Sequence, residues 1–253
     1  MERDSYAPGT PSWVDLGSPD IEASATFYGS LFDWELAEAH PDAGGYRIAH
    51  LNGKAVAGVG PQQGPVSAWS TYFASTDVDA HLAKVTANGG AVMMGPMDVM
   101  DQGRMAIATD PEGAVFGLWQ AQDFPGAQLV NETGTLGWNE LWTRDLEQAK
   151  TFYPAVFGST PEDSDVMPGR YTVWKIGDQM VGGAMTIPPD MPPMVPAHWA
   201  VYFMVDDADA AAAKVTELGG AVVAPAFTIE NMGRIAMVHG PAHESFALFA
   251  SLS

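Results

Sequence analysis

Apolar and polar residues alternate from Ser12 to Ser18, and then the rhythm changes. Period two marks a half-buried strand, and a period near 3.6 marks a helix. Asp20 stands where an N-cap belongs. Ile21, Ala25, Tyr28 and Leu31 recur on one face behind it, which predicts an amphipathic helix. Two short alternating runs follow, Gly45–Leu51 and Ala55–Val59, with Asn52-Gly53 as a hairpin turn between them. After Trp69 the pattern restarts with a strand over Ser70–Ser75, Asp77 as a second cap, and a helix stopping at Asn88-Gly89-Gly90. Strands through Met105–Thr109 and Ala114–Trp119 complete it. The predicted unit is strand, helix, three strands, used twice.

The rest of the chain repeats this half. Trp13-Val-Asp-Leu16 matches Trp138-Asn-Glu-Leu141 at an offset of 125, and at the same offset Asp20, Phe27-Tyr28 and Phe32 match Asp145, Phe152-Tyr153 and Phe157. Further on the offset is 130: Trp69 matches Trp199, Tyr72-Phe73 matches Tyr202-Phe203, and Gly103-Arg104 matches Gly233-Arg234. The extra residues fall between Ala184 and Trp199, where Pro188, Pro189, Pro192, Pro193 and Pro196 predict a stiff, extended loop. Self-similarity at this spacing marks duplicated units. The expected organisation is a first domain over 1–121, a linker over 122–134, and a second domain over 135–253, each holding two βαβββ modules.

Charge and composition narrow the function. Eleven Lys and Arg against thirty-one Asp and Glu give a net charge of −20, which repels nucleic acid and anionic membranes. There is no cysteine, so thiolate metal sites and cysteine nucleophiles are excluded. The opening MERDSYAPGTPSW has no apolar core, and no run approaches the ~20 apolar residues of a membrane helix. A soluble cytoplasmic protein is expected. No Gly-x-Ser-x-Gly, phosphate loop or dinucleotide fingerprint is present.

Leu16-Gly-Ser-Pro-Asp20 followed by Thr26-Phe-Tyr28, its repeat in Thr143-Arg-Asp145 and Thr151-Phe-Tyr153, and the turn Asp110-Pro-Glu-Gly113 before a last strand form a recognisable set. In these motifs the chain resembles the vicinal oxygen chelate superfamily of glyoxalase I, extradiol dioxygenases and bleomycin-resistance proteins. The paired Trp-x-Asp/Glu-Leu openings are similar to a two-domain actinobacterial glyoxalase-like group, often labelled "hydroxylase", with members near polyketide antibiotic pathways. The resemblance implies an α+β fold of four βαβββ modules forming two tandem glyoxalase-like domains with concave mixed sheets. It also implies that the halves pair within one chain, so a monomer is complete, with a homodimer as the alternative.

The superfamily's metal ligands are His-like and Glu-like, and the resemblance places their positions at Trp13, Gly58, Ser70 and Gly117, and again at Trp138, Gly183, Ala200 and Ala247. None is a histidine or a carboxylate, so no metal and no cofactor is expected, and a glyoxalase-like enzyme with unusual ligands is the weakest reading. His239 and His243 have a zinc-like spacing, but they fall in a turn and read as loop histidines.

Strand parity then predicts what faces each cup. Trp13, Asp15, Ser70, Tyr72, Gly117 and Trp119 face the first, and Trp138, Glu140, Ala200, Tyr202, Ala247 and Phe249 the second. Small residues at the ligand positions are expected to leave space, and aromatic walls suit a flat apolar ligand. Trp13, Trp119, Trp138, Phe249, Ser70 and Gly117 are the candidate ligand-binding residues. Asp15, Glu140, Tyr72 and Tyr202 are the candidate acid–base residues, with a buried structural hydrogen bond as the alternative reading of both carboxylates. Arg104 and Arg234 are candidate partners for them. The methionines at 93, 94, 97, 100 and 105 read either as core packing or as adaptable surface. Two functions follow: a binder of a bulky aromatic or apolar small molecule, such as an antibiotic, or a cofactor-free tailoring hydroxylase or isomerase.

Overall fold

The computed structural model describes residues 1–39, 41–165 and 170–252. In the first half, β1 (Pro11–Ser18), α1 (Ile21–Phe32), β2 (Glu35–Leu36), β3 (Arg47–Leu51) and β4 (Lys54–Pro61) form one module. The next comprises β5 (Ala68–Ala74), α2 (Val78–Ala87), β6 (Ala91–Val99), β7 (Gly103–Thr109) and β8 (Val115–Ala121). The second half repeats both. Its third module is β9 (Leu136–Thr143), α3 (Leu146–Phe157), β10 (Thr160–Asp163), β11 (Tyr171–Ile176) and β12 (Gln179–Thr186). Its fourth is β13 (His198–Met204), α4 (Ala208–Glu217), β14 (Ala221–Ile229), β15 (Gly233–His239) and β16 (Ser245–Ser251). The fold is α+β, in two tandem domains.

Every helix opens in the same way. Asp20, Asp77, Asp145 and Asp207 each accept the backbone N–H three residues on, at 2.9 to 3.0 Å, which satisfies a donor the helix itself leaves free. The buried stripe of α1 is Ser24, Phe27, Tyr28 and Phe32, so Ile21, Ala25 and Leu31 lie half-buried at its margin rather than at its centre.

Each half forms one eight-stranded mixed sheet, in the order β2-β3-β4-β1-β5-β8-β7-β6 and β10-β11-β12-β9-β13-β16-β15-β14. Parallel pairs join the first and last strands of a module, and an antiparallel pair joins the two modules. One face of each sheet carries Val14, Leu16, Phe73, Phe116 and Leu118, or Leu141, Phe203, Phe246 and Leu248, all buried. These faces turn towards each other with the helices between them. One core joins the first and fourth modules, Phe27, Phe32 and Trp34 with Phe203, Val215 and Phe246. The other joins the second and third, Phe73, Val85 and Phe116 with Phe152, Phe157 and Trp174. The sheets also touch directly, where Thr71 Oγ1 donates to Asn139 Oδ1 at 2.7 Å in a buried hydrogen bond. The opposite, concave face of each sheet remains as the cup.

Candidate ligand cup

The first cup holds a cavity of about 740 Å³. Residues from β2–β3 and from β6–β7, the two ends of the strand order, line it together, so the sheet curls around it. Trp13, Tyr72 and Trp119 form the wall, as their strand parity requires. Met97, Met100 and Met105 line the side of the mouth. Met93, Met94, Met97 and Met100 are exposed surface, whereas Met105 is half-buried and packs against the core.

Asp15 lies inside this cavity and is half-buried. The Tyr46 hydroxyl donates to its Oδ2 at 3.3 Å, and the Tyr72 and Ser70 hydroxyls also hydrogen-bond to it. Trp13 Nε1 in turn donates to the Tyr46 hydroxyl at 2.8 Å. Loss of hydration on burial dominates these bonds and pushes Asp15 up to about 7. Burial first, and then the neighbouring Asp15 charge, push Tyr46 and Tyr72 far above the ordinary phenol value, so both stay neutral donors.

Gly58 and Gly117 do not leave open space. A Cβ on Gly58 would lie 1.8 Å from the Tyr46 hydroxyl, and one on Gly117 would lie 2.1 Å from the Tyr72 ring. The small residues at these positions admit tyrosines, which corrects the expectation that they leave room for a ligand. Among the described residues, no group of three or more His, Asp or Glu could hold a metal ion. The positions that would supply donors are indole, glycine and a hydroxyl, with phenol rings filling the centre, so the residues present do not fit a metal site.

Neither Ser70 nor Gly117 lines the cavity. Ser70 bonds to Asp15, and Gly117 seats Tyr72. Arg104 does not approach Asp15 either: it pairs with Asp79 at 3.1 Å and Asp98 at 2.9 Å, and Arg234 pairs with Asp209. Both arginines tie a strand to a helix on the outside of the sheet, which corrects the expectation that they partner Asp15 and Glu140.

Among the lining residues that escaped the strand-parity reading, Tyr46 and Phe124 bring rings to the wall. Tyr46 stands just ahead of β3, and its counterpart Tyr171 at the offset of 125 was the available signal. Phe124 lies in the linker, packs edge-on to Trp13 at 4.9 Å between ring centroids, and accepts from Trp119 Nε1 through its carbonyl at 2.8 Å.

The second cup repeats the polar centre, and a loop packs against it. Tyr202 donates to Glu140 Oε1 at 2.6 Å and Trp142 Nε1 donates to the same atom at 2.8 Å. Trp138 Nε1 donates to Tyr171 at 3.0 Å, as Trp13 does to Tyr46. Burial raises Glu140, with those hydrogen bonds opposing it. Trp142 stands where the first half has Gly17. Ile187 is buried in the cluster with Trp142, Ala200, Tyr202 and Ala247, and Met191 and Val195 of the proline-rich loop pack against it, as do Trp138 and Phe249. Arg144 holds that loop by donating to the Pro192 and Val195 carbonyls, both at 3.1 Å.

A curled eight-stranded sheet built from paired βαβββ modules, with its cup in the concave face, defines the vicinal-oxygen-chelate class of fold. The chain belongs to the Glyoxalase/Bleomycin resistance protein/Dioxygenase superfamily, whose model matches residues 10–118 and 135–248. It is 47% identical to "Putative glyoxylase CFP32" of Mycobacterium tuberculosis over 98% of this chain and 97% of that one. It is 42% identical to "Anthracycline biosynthesis protein DnrV" of Streptomyces peucetius over 86% of this chain and 84% of that one. Among solved structures, the Mn(II)-bound glyoxalase of Novosphingobium aromaticivorans superposes with a TM-score of 0.67 at 15% identity, over 96% of this chain and 82% of that one. The 2,3-dioxygenase LapB of Pseudomonas sp. KL28 does so at 0.66 and 12%, over 97% and 93%. At these identities the structural likeness is one of fold. No helix among the described residues is long and apolar enough to cross a membrane.

Proposed function

We propose that the chain binds a bulky aromatic small molecule in its first cup and needs no metal ion to do so. The observation that carries this reading is the cavity of about 740 Å³ walled by Trp13, Tyr72, Trp119 and Phe124. That volume lies within the usual range of drug-sized sites, roughly 300–1,000 Å³, and apolar aromatic walls suit offset stacking on a planar ring system. The name of the Streptomyces peucetius relative, which ties it to anthracycline biosynthesis, supports an antibiotic-like polycyclic ligand. Tyrosines seated over Gly58 and Gly117 support binding without a metal.

The test is calorimetric titration of the EDTA-treated protein with an anthracycline. One site per chain is expected, with affinity unchanged by added Mn, Fe, Ni or Zn. Trp119→Ala and Met97→Trp are each expected to weaken binding at least tenfold. Met97 is exposed at the mouth, so its replacement fills the cavity without touching the core. Binding that requires a metal, or that survives both substitutions, overturns the proposal.

A second reading rests on Asp15. A carboxyl held near neutrality inside a cavity, facing two neutral phenols, can exchange a proton with a bound ligand. Tyr46 and Tyr72 would then stabilise negative charge developing on a ligand oxygen. This describes a cofactor-free, isomerase-like proton transfer. Asp15→Asn separates the two functions: binding kept with turnover abolished marks an enzyme, and no conversion of any bound compound by the native protein marks a binder.

A further inference from the structure

We propose that His50 selects the ligand of the first cup, and that the ligand presents to it a carbonyl oxygen on the edge of an aromatic body. This rests on the reading of that cup as a binding site and adds the chemistry it recognises. The donors of the wall decide the matter. Trp13 Nε1 is committed to the Tyr46 hydroxyl at 2.8 Å, and Trp119 Nε1 to the Phe124 carbonyl at 2.8 Å. Tyr46 and Tyr72 donate to Asp15, and Gln102 Nε2 donates to Asp101 at 2.6 Å. His50 lines the same cavity, half-buried, and its side chain makes no hydrogen bond or ion pair with another described residue. An imidazole keeps at least one N–H whether neutral or charged. A ligand carbonyl set against the committed groups gives up its water and gains no side-chain donor, which is costly. Facing His50, it exchanges one hydrogen bond for another.

Strand register puts His50 where the edge of a stacked ring meets it. Tyr46, Ile48 and His50 line the cavity at alternate positions, so they share the face that Asp15 occupies. His50 pairs with Ala55 of β4, and Asp15 pairs with Gly58 of the same strand. His50 therefore stands two strands from β1 and close to the level of Trp13, roughly 10 Å across the sheet at the usual strand spacing. A planar tricyclic body lying against Trp13 brings its far edge to the imidazole. In the second half Lys175 takes the place of His50 at the offset of 125, and it is spent on an ion pair with Glu162 of the neighbouring β10.

Three neutral tricyclic probes of one shape test this by equilibrium dialysis: fluorene with no polar atom, 9-fluorenone with a carbonyl acceptor and carbazole with an N–H donor. The native protein is expected to bind 9-fluorenone at least as tightly as fluorene, although water holds the carbonyl better. His50→Phe keeps a ring and removes the donor; it is expected to weaken 9-fluorenone about fivefold or more and to leave fluorene and carbazole within about twofold. His50→Gln restores an N–H donor and is expected to recover part of the loss. Trp119→Ala is expected to weaken all three probes alike, which separates the cup from its selectivity. Fluorene bound more tightly than 9-fluorenone by the native protein, or 9-fluorenone weakened no more than fluorene by His50→Phe, overturns the inference while the cup stands. A loss confined to carbazole makes His50 an acceptor and overturns it equally. If none of the three probes binds, the cup reading fails and the inference with it.

Discussion

The unusual residue in this molecule is Asp15, an acid in a strand otherwise built for packing. Its carboxyl rises from an ordinary 3.8 to about 7 because burial costs the ionised form more than the three hydroxyls return. At about 1.4 kcal/mol for each tenfold change, the ionised side chain costs on the order of 4 kcal/mol of folding stability above pH 7. The folded state binds the proton more tightly than the unfolded chain. The cost is therefore absent below pH 4, grows as pH rises through the interval between 3.8 and 7, and is complete above it. Asp15→Asn has no such titration. Thermal unfolding should show the variant and the native protein close together at pH 4 and the variant more stable at pH 8.5, by up to about 4 kcal/mol. Equal melting curves at both pH values would place Asp15 in a hydrated setting. Parity along β1, β5 and β8 was enough to find Asp15, Trp13, Tyr72 and Trp119, because a strand has no freedom in which face a residue takes. It could not find Tyr46 or Phe124, which reach the cup from a loop and from the linker, where no period constrains direction.

At the scale of elements, the duplication made the four modules legible, since tryptophans and capping aspartates recur at fixed spacing. What it concealed was the unequal fate of the two cups. That difference lies in a Gly17-to-Trp142 exchange and in a loop whose prolines announce stiffness but not where it folds. The loop docks by Met191 and Val195 and leaves Met194 85% exposed. Replacing Met191 and Val195 together by Ala should lower the unfolding free energy by about 1–3 kcal/mol, because partly buried apolar groups lose their contacts. Met194→Ala should stay within about 0.5 kcal/mol of the native protein. Urea midpoints decide the matter: equal values for the two variants would mean that the loop does not seal the second cup. The same variant should also raise protease cleavage within residues 188–196.

Across the whole molecule, the halves are joined by a buried polar arrangement that the duplication preserved by different means. Tyr153 donates to Asp110 Oδ2 at 3.0 Å across one core, and Trp199 Nε1 donates to Tyr153 at 3.0 Å. Across the other, Tyr28 donates to Glu244 Oε1 at 2.7 Å and receives from Trp69 Nε1 at 3.1 Å. Yet Asp110 corresponds to Gly240, and Glu244 corresponds to Ala114. The carboxylate has moved four residues along the closing turn and reaches back to the same place. A Cβ on Gly240 would lie 2.1 Å from Glu244 Oε1, so the two solutions exclude each other. In both, the carboxylate also accepts a backbone N–H of the turn, from Glu112 or from Ala242, at 3.0 Å. Glu244→Ala leaves the Tyr28 hydroxyl without its acceptor in a buried site and should cost about 2–4 kcal/mol. Gly240→Asp added to Glu244→Ala recreates the first half's arrangement, in a turn where residue 240 has no left-handed backbone to strain an added side chain. The double variant should recover most of the loss in denaturant unfolding, although Gly240→Asp alone destabilises. A double variant no more stable than Glu244→Ala would show that the two carboxylates are not equivalent. Recovery would establish that what holds the halves together is a carboxylate at a point in space, which either of two sequence positions can supply.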